Sequence, residues 1–191
     1  RRRRRRGRHR RPAPSVTGFA VSLGSNLPDA VGDSPAILAD AVARLAAADG
    51  VRVVAVSSLY RTAPVGGVEQ PDFFNAVVVG ETTLGAEDLL ALCQAVEAAH
   101  HRTREVRWGP RTLDIDVLAF GDELSEDPAL TLPHPRAHER AFVLVPWAEA
   151  DADAHLVGRG RVADLVDAVG TDGVRIADLP WPARHEGGRR G

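Results

Sequence analysis

The sequence predicts one folded domain of mixed helix and strand, and three observations support this prediction. Apolar residues make up 44% of a chain of 191 residues, enough for one sizeable core. Several segments are rich in valine or alternate apolar with polar residues, which is typical of β-strands. Other segments repeat apolar residues at helical spacing. We expect the domain to span residues 18–182, between disordered tails at 1–17 and 183–191.

The first elements should be a strand, a helix and a second strand. Residues 19–23 are mostly apolar and end at the turn Gly24-Ser25-Asn26. Asp33 followed by Ser34-Pro35 is typical of a helix N-terminus. Helical spacing predicts that this helix buries Ile37, Leu38, Ala41, Val42 and Leu45, and Asp49-Gly50 should end it. The valine-rich residues 51–59 predict the second strand.

A third strand and a second helix should follow an irregular loop over residues 60–71. The strand covers residues 72–80, and Phe73 and Asn75 share one of its faces. An aromatic ring beside an amide can hold a flat heterocycle, although an ordinary strand-edge Phe and a turn Asn would give the same pattern.

Residues 86–101 have the apolar spacing of a helix. We interpret Cys93, the one cysteine, as a core thiol on its buried side. His100 and His101 at its C-terminus should be capping or solvated residues, because an imidazolium suits the negative end of the helix dipole.

The stretch over residues 107–120 carries most of the functional information. Asp114 and Asp116 alternate with apolar residues, so on a strand both carboxylates share one face. Two carboxylates on an apolar strand need a compensating cation, and Mg²⁺ prefers such hard oxygen ligands. Just before them lies a group of cations typical of phosphate sites: Arg102, Arg104, Arg107 and Arg111. The alternative is an edge strand with a solvated acidic face and an Arg-rich loop opposite it.

The remaining elements are less regular. A short strand should precede His134, which stands between Pro133 and Pro135. His138 lies four residues later, but the prolines disfavour a helix and hence a zinc pair. We interpret His134 as a polar contact to a ligand or as part of a surface loop, and we expect a helix near residues 162–169.

Charge is distributed unevenly along the chain. All 24 basic residues are arginines, and nine of them lie within residues 1–11, so the other 15 face 26 acidic residues. The body is therefore acidic, and the Arg-rich tail is a possible ligand for nucleic acid or an anionic membrane. No apolar run is long enough for a membrane span. The single cysteine fits a reducing compartment, so we expect a cytoplasmic protein.

Several of these motifs together closely resemble the 6-hydroxymethyl-7,8-dihydropterin pyrophosphokinase family of folate biosynthesis. The motifs are Gly24-Ser25-Asn26, Tyr60-Arg61-Thr62 with Pro64, residues 70–76, residues 107–116, and residues 132–142. The resemblance implies a ferredoxin-like α+β sandwich, in which helices flank a largely antiparallel sheet. It also implies transfer of the pyrophosphoryl group of ATP to the hydroxymethyl group of the pterin, with release of AMP.

The resemblance also implies roles for individual residues. Arg102 and Arg111 match the catalytic arginines, and Asp114 and Asp116 match the ligands of two Mg²⁺ ions. The residues that match ATP contacts are Gln94, Glu97, Arg104, Trp108, Arg111, His134 and Arg140. Those that match the pterin pocket are Thr62, Pro64, Val65, Phe73, Asn75 and Phe142, with the pterin ring held between Phe73 and Phe142.

The sequence departs from the family pattern at three positions and in the stretch between Arg104 and Trp108, which is one residue shorter than in some members. Ala63 stands where some members have a second Pro, Phe73 replaces a frequent Tyr, and Pro135 stands where a Tyr can occur. The alternatives are a ferredoxin-like module that binds RNA through the tail, which the acidic body disfavours, and an inactive relative, which the intact Asp and Arg residues disfavour. We expect a monomer.

Overall fold

The computed structural model describes residues 15–64, 70–100 and 112–181. In these ranges a six-stranded antiparallel sheet is flanked by helices. The strands are β1 (Thr17–Ser25), β2 (Val51–Val56), β3 (Tyr60–Thr62), β4 (Phe73–Thr82), β5 (Asp114–Phe120), β6 (Ser125–Asp127), β7 (Leu130–Leu132), β8 (His155–Leu156), β9 (Gly160–Arg161) and β10 (Val174–Ile176). The helices are α1 (Ser34–Ala47), α2 (Ala86–Ala99), α3 (Ala141–Ala150) and α4 (Val162–Val169), with a 3₁₀ turn at Ala137–Glu139.

The sheet is centred on β1 and β4. Its strand order is β10-β3-β4-β1-β5, and β2 also pairs with β4. Each of these pairs is antiparallel, as the α+β class predicts. Two short hairpins, β6–β7 and β8–β9, lie outside this sheet.

The two faces of the sheet are covered by different helices. Helices α1 and α2 pack on one face, where the larger apolar cluster includes Phe19, Val21 and Leu23 of β1. Helix α3 packs on the other face, where a smaller cluster includes Ala20 of β1 and Val77 of β4. Successive residues of β1 therefore point to opposite faces, as strand geometry requires.

Helix α1 forms as the sequence predicts. The Asp33 side chain accepts a hydrogen bond from the Ala36 N–H at 3.1 Å, which satisfies a donor left free at the helix N-terminus. The five apolar residues predicted for its inner face are all buried. Gly50, which follows the helix, has φ +79°, a conformation that few other residues adopt.

The predicted secondary structure differs from the observed one in three places. Residues 60–62 are not loop but strand β3, which pairs with β4 and β10. A three-residue strand is too short to produce a visible alternation in the sequence. Residues 57–59 separate β3 from β2, so the predicted strand over 51–59 ends early. Helix α3 was not predicted; it contains Pro146, a residue that normally disfavours helix interiors.

Only the N-terminal limit of the predicted domain falls within the described residues. Strand β1 begins at Thr17, which was assigned to the N-terminal tail. Most of both predicted tails lies outside the described residues, and the domain limits stay a prediction. Within the described ranges, no helix is long and apolar enough to cross a membrane.

Candidate active site

The candidate site is built from a row of residues across three strands. Gly24 of β1 pairs with Asp114 of β5 on one side and with Asn75 of β4 on the other. Residues paired in this way lie on the same face of a sheet. A Cβ atom at Gly24 would lie 3.3 Å from the Asn75 Oδ1 atom, so glycine lets the two strands present their side chains without crowding.

The two aspartates lie on the α3 face of β5. Ile115 and Val117 between and beyond them are buried on the opposite face, in the cluster with α1 and α2. Asp114 and Asp116 are only partly buried. The predicted arrangement of the strand, with carboxylates on one face and apolar residues on the other, is the one observed.

Glu97 of α2 fixes the backbone between the two aspartates. Its side chain is 6% exposed, and its Oε1 atom accepts a hydrogen bond from the Ile115 N–H at 2.7 Å. A charged acceptor makes this a strong hydrogen bond. Helix α2 therefore helps to set the position of β5 at the point where both carboxylates emerge.

Asp116 lies beside two potential cations. Its Oδ2 atom is 3.7 Å from His134 Nε2 and 3.7 Å from Arg140 Nη1. We call these residues together with Asp114 the Asp116 cluster. The distances are longer than direct hydrogen bonds, and the Asp116 side chain is 36% exposed. The cluster thus keeps carboxylate surface accessible to a ligand.

The protonation state of the His134 ring follows from the groups around it. Burial lowers the pKa of His134, Asp116 raises it, and Arg140 lowers it again; the net pKa is below the ordinary value. The ring is therefore mostly neutral at pH 7. Its Nδ1 atom accepts the Arg136 N–H at 3.2 Å, so the one ring proton belongs on Nε2, towards Asp116.

Aromatic and amide groups form the other half of the site. The amide nitrogen of Asn75 donates to the Thr62 hydroxyl at 3.0 Å, which orients both side chains. The Arg140 guanidinium lies 5.8 Å from the centre of the Phe142 ring, within the range of a cation–π contact. Phe73 and Phe142 are both partly buried and keep part of their surface open.

One cavity of about 470 Å³ joins the two halves. This volume is in the range of small-molecule sites. The cavity is lined by seven of the predicted site residues: Thr62, Phe73, Asn75, Asp114, Asp116, Arg140 and Phe142. Carboxylates, a guanidinium, an amide and two aromatic rings therefore meet in one space.

Four other predicted residues are described but do not line this cavity. His134 belongs to the Asp116 cluster, and Glu97 is buried behind β5. Gln94 is exposed on α2, and Pro64 is partly buried beside the cavity-lining Ala63. The remaining predicted residues, Val65, Arg102, Arg104, Trp108 and Arg111, lie outside the described ranges.

Sequence reasoning missed part of the cavity wall. Gln70 and Arg136 contribute, and so do Asp172 and Gly173, which precede β10, and Val174, its first residue. These last three residues reach the site because β10 pairs with β3, and Val174 is the register partner of Thr62. Such a three-residue strand gives no periodic signal in the sequence, so only the fold identifies these residues.

The described residues fit Mg²⁺ but not a metal held by protein groups alone. They contain no group of three or more His, Cys, Asp or Glu side chains placed to hold an ion. Two carboxylates on one face suit Mg²⁺, which usually keeps several waters and binds one or two carboxylates together with substrate phosphates.

The sequence-based interpretation of His100 as a capping or solvated residue is correct about its position at the helix end and wrong about its exposure to solvent. His100 does occupy the C-cap of α2, but its side chain is fully buried. Its ring lies between Asp29 and Asp40, and we call these three residues the His100 cluster. The two carboxylates lie far away in sequence, so helix periodicity could not reveal them.

Comparison with known proteins places the chain in a family. A family model described as 7,8-dihydro-6-hydroxymethylpterin-pyrophosphokinase (HPPK) matches residues 20–152. A relative from Methylorubrum extorquens, named 2-amino-4-hydroxy-6-hydroxymethyldihydropteridine pyrophosphokinase, is 46% identical over 159 residues, which cover 83% of this chain and 98% of the relative. Relatives of the same name from Bacillus subtilis and Mycobacterium leprae are 48% identical over 129 residues (68% and 75% covered) and 41% identical over 182 residues (86% and 91% covered).

Solved structures show the same fold. A Plasmodium falciparum HPPK-DHPS variant with pteroate superposes with a TM-score of 0.61 at 15% identity, and the wild-type protein with a TM-score of 0.60 at 14% identity. The alignments cover 83% of this chain but only 44% and 45% of those longer chains. They support the ferredoxin-like α+β fold. The family match and the identities to named relatives confirm the predicted family: the chain belongs to the 7,8-dihydro-6-hydroxymethylpterin-pyrophosphokinase family.

Proposed function

We propose that this protein transfers the pyrophosphoryl group of ATP to the hydroxymethyl group of 6-hydroxymethyl-7,8-dihydropterin, in the synthesis of folate. The observation that carries this proposal is the single cavity in which Asp114, Asp116 and Arg140 meet Phe73 and Phe142. One side of this cavity suits a metal-bound triphosphate and the other a flat heterocycle. The names of the relatives support the same reaction.

The reaction needs one displacement at phosphorus. The hydroxymethyl oxygen attacks the β-phosphorus of ATP and releases its proton. The bond between that phosphorus and the oxygen bridging to the α-phosphorus breaks, and AMP leaves with the bridging oxygen. Catalysis of such transfers depends on positioning and on neutralising phosphate charge.

We assign the phosphate side to the Asp116 cluster. Asp114 and Asp116 would hold Mg²⁺, and the family resemblance predicts two ions. When bound, the metal would neutralise charge on the triphosphate and align it. Arg140, held near Asp116 and over Phe142, is placed to contact phosphate oxygens, and neutral His134 can donate its Nε2 proton to an oxygen of ATP.

We assign the aromatic side to the pterin. Phe73 and Phe142 would stack on the ring, since both line the cavity with open surface. The oxygen of Asn75 and the hydroxyl of Thr62, already oriented by their mutual hydrogen bond, can contact the polar edge of the ring. Pro64 and Val65 complete this pocket by resemblance.

Further roles rest on the resemblance alone. Arg102 and Arg111 would follow the moving pyrophosphate, and Arg104, Trp108 and Gln94 would contact ATP. For Glu97 the hydrogen bond to the Ile115 N–H supports an anchoring role, whereas a direct ATP contact stays a prediction. Arg102→Ala should therefore slow product formation far more than it weakens pterin binding, and a loss confined to binding would contradict its role.

Product analysis tests the proposed reaction. Mg²⁺-ATP is incubated with the protein, with and without 6-hydroxymethyl-7,8-dihydropterin, and the nucleotides are separated. We expect AMP only when the pterin is present. ADP would indicate transfer of the γ-phosphoryl group and contradict the proposal, and ATP binding without any product would indicate an inactive relative.

A further inference from the structure

The charged cluster around the buried His100 ring has no role in the proposed reaction. The His100 side chain is 0% exposed. Its Nδ1 atom lies 2.7 Å from Asp29 Oδ2, in the turn between β1 and α1, and its Nε2 atom lies 2.9 Å from Asp40 Oδ2 on α1. The ring thus joins the end of α2 to two segments that precede it by 71 and 60 residues.

The distances determine the charge of the ring. A neutral imidazole has one N–H donor, whereas both nitrogens here lie within hydrogen-bond distance of carboxylate oxygens. The Arg44 hydrogen bond is the main cause that lowers the pKa of Asp40. Burial raises the pKa of Asp29, but hydrogen bonds from His100 and backbone N–H groups outweigh it and the net pKa is lowered. Both carboxylates are therefore ionised at neutral pH, and both contacts require an imidazolium.

The charged groups around the ring come from each neighbouring element that the structure describes. The β1–α1 turn supplies Asp29, and α1 supplies Asp40 with Arg44 paired behind it. On its own helix, Glu97 is the nearest charged residue in sequence, and its carboxylate is directed to the Ile115 N–H. The ring has two carboxylate partners and one positive charge to satisfy them.

The β1–α1 turn continues from this cluster to the rim of the cavity. Asp29 is fixed not only by His100 but also by the Val31 N–H, which donates to Oδ1 at 2.7 Å. Three residues earlier, buried Asn26 donates to the Gln70 side chain at 3.0 Å and to the Pro71 carbonyl at 3.1 Å. Gln70 lines the cavity, and Pro71 is two residues from Phe73.

We propose that His100 is a positioning residue: its imidazolium ties the β1–α1 turn to helix α2, and through Asn26 the turn holds the Gln70–Pro71 rim of the pterin side of the cavity. Loss of the ring proton removes one of the two hydrogen bonds and leaves one carboxylate without its contact to the ring. The rim should then be less well ordered, and pterin should bind less tightly. This kinetic consequence rests on the proposed function, but the charge of the ring and its coupling to the rim do not.

The kinetic test compares wild type with three variants over a range from about pH 5 to about pH 9. In the wild type, KM for the pterin should rise as the ring loses its proton. His100→Asn should raise this KM about 3- to 30-fold at low pH, with a smaller effect on kcat. In Asp40→Asn a neutral ring can donate to Asp29 and accept from the introduced amide, so the rise of KM with pH should flatten. His155→Asn, at an exposed position, is the matched control and should behave as wild type.

Two outcomes of the kinetic test overturn the proposal. One is a loss of stability in His100→Asn without any change in KM, which would make the cluster purely structural. The other is a dependence of KM on pH that is the same in wild type and in Asp40→Asn. If His100→Asn does not fold, the comparison of wild type with Asp40→Asn still decides.

A second measurement does not depend on catalysis. The ¹⁵N resonances of the His100 ring should show both nitrogens protonated at neutral pH, and the backbone amide resonances of Gln70 and Asp72 should shift in His100→Asn without any substrate. A ring with one protonated nitrogen, or unchanged rim resonances, overturns the proposal. If these spectra agree with the proposal but no pterin-dependent AMP forms, the proposed function has failed and the positioning role stands.

Discussion

The His100 cluster and the Asp116 cluster use the same residue types for different ends. In the first, two carboxylates contact a fully buried ring at 2.7 and 2.9 Å. In the second, histidine and arginine each approach Asp116 only to 3.7 Å, and the carboxylate keeps 36% of its surface. The first cluster pairs both nitrogens of a buried ring with carboxylates at hydrogen-bond distance and stabilises the fold, whereas the second lines a cavity and keeps part of the Asp116 side chain accessible to a ligand. The comparison indicates that contact distance and position at a cavity, and not residue type, distinguish a structural cluster from a binding site.

The largest effect should come from a substitution in the Asp116 cluster. Asp116→Asn keeps the shape of the side chain but removes the charge that would hold a divalent cation. We expect kcat for pterin-dependent AMP formation to fall by at least about 100-fold, because metal stabilisation of phosphate charge is worth several kcal/mol. The urea midpoint should change little, because the side chain is partly exposed. Turnover within a few-fold of wild type would contradict the metal-binding role.

Removal of an aromatic ring should have the next largest effect. Phe73→Ala removes one of the two surfaces on which the pterin would stack, and stacking of a base on an aromatic side chain is worth about 1–3 kcal/mol. KM for the pterin should therefore rise about 5- to 150-fold, with KM for ATP nearly unchanged. Phe74, the next residue on β4, packs against the α1 and α2 core instead, so Phe74→Leu is a matched control. Equal effects of both substitutions would argue against stacking at Phe73.

Glu97→Ala should affect both stability and catalysis. The substitution leaves the buried Ile115 N–H without its acceptor, which costs about 1–3 kcal/mol of unfolding free energy. Because Ile115 lies between Asp114 and Asp116, kcat should fall as well. Glu97→Gln retains an acceptor oxygen and should recover part of both losses. A full loss of activity in Glu97→Gln with normal stability would instead favour a direct role in ATP binding.

The smallest expected effect is the dependence of stability on acid pH that the His100 cluster causes. The folded-state pKa values of Asp29 and Asp40 are lowered from 3.8. Ionisation of each carboxylate therefore adds stability that is present above about pH 4 and is lost as the pH falls through the folded-state value. Urea midpoints of wild type should fall more steeply below about pH 4 than those of Asp29→Asn. Parallel curves would show that Asp29 contributes nothing to this dependence.

Local patterns predicted the parts of the structure that depend on local order. The apolar spacing of α1 and the alternation around Asp114 identified which side chains would be buried, because a helix or strand of sufficient length imposes its period on the sequence. Phe73 and Asn75 were placed on one face for the same reason. These features supply Phe73, Asn75, Asp114 and Asp116 of the cavity wall.

The features that escaped prediction depend on contacts between distant segments. His100 stands in a helical pattern that gives no sign of Asp29 or Asp40. Asp172 and Gly173 reach the cavity only because the short strand β10 joins the edge of the sheet. Neither the partners of a buried charge nor the position of a three-residue strand is encoded in a nearby periodicity.

The most direct test of the contrast between the two clusters is to locate the site at which a divalent cation binds. Mn²⁺ can replace Mg²⁺ and broadens the NMR signals of nearby nuclei. With an ATP analogue whose α,β-bridge is a methylene group, added Mn²⁺ should broaden the amide signals of Gly24 and Ile115 more strongly than those of Asp29 and His100, and Asp116→Asn should abolish this pattern. Broadening centred on the His100 cluster, or broadening at Ile115 that persists in Asp116→Asn, would contradict the assignment of the Asp116 cluster as the metal and phosphate site.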